Sequence, residues 1–268
     1  MVSKHRLQAD WMEPGFFYAL GLLLAMGLKT HYSHATSDEL IWILAPTAAL
    51  VEMMAGVPFQ REIHTGFISM DYRVILAPAC AGVNFLIIAF STLWFPIIAR
   101  PRGIQRRLEW FVFSAVLAYV LTILVNALRV VTSIFLYRMD IYGGWVTPER
   151  VHRMEGTIMY FLFVVLIYLA GERIEGWLNR RESFDQTDGV GKPGEPAAHF
   201  RALAIPSLSY SLITIGVPIL NGAWRQSAPK FVEHCCWVLA GCMMVLLVLH
   251  LIMVGFHRAA LRVRKSKR

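Results

Sequence analysis

The sequence predicts an all-α, polytopic transmembrane helical bundle of about seven spans, and three observations predict it. Hydrophobic residues make up 56% of the 268 residues and charged residues only 16%, whereas a soluble domain is nearer a quarter charged. The mean hydropathy is +0.51. The apolar residues gather in runs whose length suits a bilayer. A single core cannot hide so much apolar surface, so much of it must face lipid. The net charge of +8 would suggest nucleic acid in a soluble protein. Here the cations collect between the apolar runs, where they set orientation, and no nucleic-acid partner is implied.

In chain order, the candidate spans are 15–29, 40–57, 74–99, 111–137, 151–170, 203–220 and 236–256. The first is the shortest. It lacks a small-residue cleavage pattern behind it, so no cleavable signal peptide is expected. Between the fifth and sixth runs lies 171–201, rich in Glu, Asp, Gly and Pro and containing Gly189-Val190-Gly191-Lys192-Pro193-Gly194. That composition reads as a solvated linker. The chain therefore divides into a membrane core at 1–170, a polar linker at 171–202, and two further spans with a basic tail at 203–268. No internal repeat is legible. Trp94, Trp110, Trp145, Trp177 and Trp237 fall near run ends, as aromatic belts do.

Orientation follows from the basic loops. Arg100, Arg102, Arg106 and Arg107 follow the third run, and Arg173, Arg180 and Arg181 follow the fifth. The tail carries Arg258, Arg262, Arg264, Lys265, Lys267 and Arg268. All three clusters share one side if the spans alternate, and that side is expected to be cytoplasmic. The loops at 58–73, 138–150 and 221–235 then face outwards. Seven spans put the N-terminus outside as well, against the preference of Lys4 and Arg6.

Three side chains with chemical character fall near the outer face. If the third run is a helix from Val74, Cys80 lies about 9 Å below its start, and Arg129 lies about 12 Å from the outer end of the fourth. His152 opens the fifth run. A mid-span Arg costs about 2.5–3.5 kcal/mol on insertion scales, so it usually has a partner or a task; the plainer reading is a side chain snorkelling to the headgroups. Asn126, three residues before Arg129, shares its helix face.

A cysteine in an apolar segment is ordinarily a small hydrophobe, and that is the reading for Cys235, Cys236 and Cys242. A neighbouring cation favours the nucleophilic thiolate, and this sets Cys80 apart. His152 is suited to serve as general base, although an interfacial histidine is more commonly a solvated surface residue. Glu52 is either a counter-charge to Arg129 or a solvated residue at its span end. His31 and His34 have metal-compatible spacing, but two ligands in a loop make a weak site, and no metal is expected. No C-x-x-C occurs, so zinc ribbons and thioredoxin-type motifs are disfavoured.

Ala79-Cys80-Ala81-Gly82-Val83-Asn84-Phe85, Asn126-Ala-Leu-Arg129 and His152-x-x-x-Gly156 occur in this order on successive runs. Together they resemble the exosortase/archaeosortase family of membrane cysteine transpeptidases. The resemblance covers roughly 57–170, takes in Gly66-Phe67-Ile68 and Asp71, and is nearest the exosortase K subgroup. The region after Ala170 is less like the common core. The resemblance implies a bacterial inner-membrane enzyme, without cofactor, acting on exported proteins. Its substrates would carry a C-terminal tripartite signal: a motif such as Pro-Glu-Pro, an apolar helix and a basic cluster. Cys80 would be the nucleophile, with Arg129 and His152 completing the set. Asn84, Asn126, Gly156 and Glu52 would support them. A lipid or glycan would serve as acceptor.

Two other classes compete. A carrier or channel lined by Arg129 and Glu52 would show broken helices near the midplane, or repeats. A lipid or acyl transferase would advertise a His/Asp pair or a metal cluster. Neither mark is legible.

Overall fold

A computed structural model describes residues 4–70, 74–98, 103–139, 142–183 and 196–266. Asp71, Arg100, Arg102 and the 189–194 stretch lie outside them. The helices are α1 (Lys4–His34), α2 (Ile41–Ala55), α3 (Val83–Trp94), α4 (Ile104–Arg138), α5 (Pro148–Ser183), α6 (Pro196–Ser211), α7 (Val217–Leu220), α8 (Ala223–Gln226) and α9 (Ala228–Ser266). A π-helical turn, Leu212–Gly216, joins α6 to α7. The protein is an all-α membrane protein. Among the described residues, four helices are long and apolar enough to cross a bilayer: Ile104–Arg138, Pro148–Arg173, Leu203–Leu220 and Ala228–Ile252. Ile41–Ala55 and Pro78–Trp94 are shorter apolar segments.

The chain forms two compact units, one of 1–148 with 166–191, the other of 149–165 with 192–268. In the first, α3 packs on α4 and α1, and α2 packs on α4. Phe85, Ile88, Phe90 and Trp94 of α3 are fully or almost fully buried. Trp94 is not the interfacial residue its position in the sequence suggested. It is 0% exposed and meets Phe17, Phe90 and Phe111 at ring-centroid distances of 6.2, 6.3 and 5.0 Å. Burying aromatic rings edge-on to Phe17 and Phe111 and stacked on Phe90 stabilises beyond the area removed from solvent. In the second unit α6 packs on α9, and the Tyr210 hydroxyl donates to the Thr157 carbonyl at 3.4 Å.

The segment before α3 departs most from expectation. In place of an outer loop and a continuous span from Val74 there is a three-stranded antiparallel sheet. It comprises β1 (Gln60–Glu62), β2 (Gly66–Ser69) and β3 (Val74–Leu76), in the order β1-β2-β3. The register pairs Arg61 with Phe67 and Ile68 with Ile75. Asp38, in the turn between α1 and α2, fastens the sheet. Its carboxylate accepts from Arg61 at 3.0 Å and from the His64 backbone N–H at 3.0 Å. The Arg61 hydrogen bond holds Asp38 below the usual carboxylate range.

After β3 the chain makes one 3₁₀ turn, Pro78–Cys80, and α3 starts only at Val83. Pro78 lacks an amide donor and keeps Ala77 extended (φ −92°, ψ 174°). Gly82 then takes φ +72°, where a side chain would be strained. Cys80 is therefore not two turns down a helix. It stands in the break between sheet and helix.

Two expected loops are helical in part. Ile104–Trp110 belongs to α4, with Arg107 buried, and 171–183 continues α5.

Candidate active site

Cys80 is held by its backbone. Its amide donates to the Ala77 carbonyl at 2.8 Å, closing the 3₁₀ turn. Its own carbonyl accepts from Asn126 Nδ2 at 2.6 Å. The thiol is partly buried against an apolar cluster that includes Val57, Leu76, Ala127 and Val130, and its sulfur lies 3.9 Å from the Ile75 carbonyl.

Asn126 links the thiol segment to the cation. It is 0% exposed, and Arg129 is 6% exposed. Asn126 Oδ1 accepts from Arg129 Nη1 at 3.4 Å. One amide thus engages the Cys80 backbone with its nitrogen and the guanidinium with its oxygen. The pair lies at positions i and i+3 of α4, on one helix face as the spacing predicts. Arg129 is enclosed within the bundle, a poor position from which to snorkel.

Gly82 makes the approach possible. An ideal Cβ there would stand 3.1 Å from Asn126 Cγ and 3.3 Å from its Nδ2. Gly82→Ala should cost about 1–2 kcal/mol in backbone strain alone and push Asn126 off the Cys80 carbonyl. Gly56, at φ +64° with nothing within 4 Å of its Cβ position, is the control. Thermal melts should show a larger loss for Gly82→Ala than for Gly56→Ala, and only Gly82→Ala should depress Cys80 reactivity.

The other predicted residues have definite places. Asn84 is in the first turn of α3, where its Oδ1 accepts from Lys29 Nζ of α1 at 2.9 Å. Glu52, in the last turn of α2, accepts from the Phe59 N–H at 2.5 Å. It closes the turn into the sheet. His31 and His34 are exposed in the last turn of α1. His152 and Gly156 lie in the first turns of α5, within the second unit. The His152 side chain is 44% exposed, and its Nδ1 stands 4.0 Å from Oε2 of Glu155, which is 7% exposed.

Sequence reasoning missed Lys29, Tyr32 and Glu155. Lys29 lies over the Tyr32 ring, 5.6 Å from its centroid. A charged residue ending an apolar run was the available signal for Lys29. Glu155 is an acid in an apolar helix three residues after a histidine, and the same signal applied to it.

The fold is that of an all-α membrane protein in which the break before α3 carries a thiol, backed by a buried amide and guanidinium in the next helix. Residues 14–169 match the family model described as Transmembrane exosortase (Exosortase_EpsH). That is more than half of the chain, and the protein belongs to this family. No curated protein and no solved structure matches it. The match speaks to the family and not to the exosortase K subgroup.

Proposed function

We propose that the protein is a membrane cysteine peptidase and transpeptidase. In this reading it cleaves a C-terminal tripartite sorting signal of exported proteins on the extracytoplasmic side of a bacterial inner membrane. The supporting observation is the Asn126 bridge between the Cys80 segment and Arg129, in a chain that matches the transmembrane exosortase family.

The Cys80 thiolate attacks the scissile carbonyl, forming a C–S bond and an oxyanion. Arg129 supplies donors to that oxyanion or orders the thiolate. Collapse breaks the C–N bond, and the leaving amine takes a proton from His152. The thioester is then open to an amine, a hydroxyl or water. His152 accepts the proton of that nucleophile, and the C–S bond breaks to release the thiolate. His152 enters this scheme on its sequence motif. A lipid or glycan of the membrane face is the proposed acceptor.

A broken helix near the midplane would mark a carrier. The break found at 77–82 does not favour one, because it presents a thiol.

The test is co-expression with an exported reporter that ends in Pro-Glu-Pro, an apolar helix and a basic cluster. Cleavage should shorten the reporter and depend on Cys80. A tail that stays uncut at normal enzyme levels would overturn the reading.

Orientation has its own test. Single cysteines at Gln105 and Gln186, in a background with all four native cysteines changed to Ala, should resist an impermeant maleimide in sealed cells. Efficient labelling there would move the site to the cytoplasm.

A further inference from the structure

We propose that Lys29 and Tyr32 of α1 form an anion subsite beside Cys80 that binds a carboxylate of the peptide substrate next to the scissile bond. This rests on the reading of Cys80 as nucleophile and adds to it what the neighbouring pocket selects.

Lys29 is half-buried, and its ammonium turns inward. It donates to Asn84 Oδ1 at 2.9 Å and stands over the Tyr32 ring. Both partners are neutral. Among the described residues no carboxylate bonds to Lys29, and the nearby acids are engaged elsewhere. Asp38 pairs with Arg61 at 3.0 Å and His64 at 2.9 Å. Glu39 accepts from the Thr36 amide and hydroxyl at 2.7 and 2.9 Å. Glu52 accepts from Phe59.

A partly desolvated cation without an anion is costly unless a ligand supplies one. Asn84 follows Cys80 by four residues, across the 3₁₀ turn and Gly82. The Asn84 bond therefore holds the ammonium at the first turn of α3, which follows directly on the break that carries Cys80, and a substrate residue adjacent to the scissile bond would lie close by. A lysine anchoring to lipid phosphate would extend outward to the headgroups; this one is folded back onto α3.

The test needs no substrate. The full chain, with Cys235, Cys236 and Cys242 changed to Ala, is held in neutral detergent micelles. Cys80 is alkylated with iodoacetate, which is anionic, and with iodoacetamide, which is neutral. The iodoacetate-to-iodoacetamide rate ratio should fall about fivefold in Lys29→Met, the scale of one partly exposed ion pair, and should be kept in Lys29→Arg. An unchanged ratio in Lys29→Met overturns the subsite. So does equal slowing of both reagents, which would make Lys29 a mere brace for Asn84. A fall seen only in vesicles containing phosphatidylglycerol overturns it too, in favour of a headgroup anchor.

Reporter tails bearing Pro-Glu-Pro or Pro-Gln-Pro give the second arm. Wild type should prefer the Glu tail and Lys29→Met should not. A ratio that falls as expected while wild type cuts neither tail would leave the subsite standing and overturn the peptidase reading.

Discussion

Cys80→Ala should abolish reporter cleavage while the protein inserts and accumulates normally. The change removes one sulfur atom from a partly buried side chain. The contacts that hold the segment are made by the backbone: the amide to Ala77 and the carbonyl to Asn126. Alanine keeps both, so the stability change should be on the order of 1 kcal/mol or less. The chemistry has no such reserve. Without the thiolate no thioester forms, and removal of a covalent nucleophile costs on the order of a millionfold where it has been dissected. Cleavage should therefore fall below detection in immunoblots of membranes that contain normal amounts of enzyme.

Changing Cys235, Cys236 or Cys242 to Ala should leave cleavage largely intact, because all three lie on α9, in a region outside the family match. A fully active Cys80→Ala protein would refute the cysteine mechanism.

How much of this was legible follows from what the chain shows locally. The membrane class and the long helices were, because a run such as 111–137 is apolar for most of its length and reads the same in any context. The Asn126–Arg129 face was, because helical spacing alone sets it. The sheet was not. Gln60-Arg61-Glu62 is exposed at every position and without apolar alternation, and it becomes a strand only by pairing with β2. The break at Cys80 was half visible. Pro78 and Gly82 flank it, but small residues in an apolar run equally suit close helix packing, and hydropathy is blind to φ. The pairing of Lys29 with Asn84 was not legible, because the two lie 55 positions apart.

Arg129→Lys separates an anchor from a catalytic residue and should have the second-largest effect. Both side chains carry a positive charge, but only arginine presents a planar fork of donors. Arg129 is 6% exposed and spends one of its nitrogens on Asn126. A lysine there keeps the charge but offers a single ammonium, which cannot hold Asn126 and also reach a second acceptor in a fixed plane. If Arg129 merely snorkelled, lysine would replace it at little cost. If it orders the thiolate or the oxyanion, the loss is that of an oxyanion donor, about 2.7–4 kcal/mol, or roughly a hundred- to a thousandfold in rate. The expected result is a protein that inserts and accumulates normally and cleaves the reporter that much more slowly. Arg138→Lys is the control, since Arg138 is the exposed last residue of the same helix and should remain near wild type. Equal activity in the two variants would make Arg129 an anchor, and Cys80 would then need a different electrophilic partner.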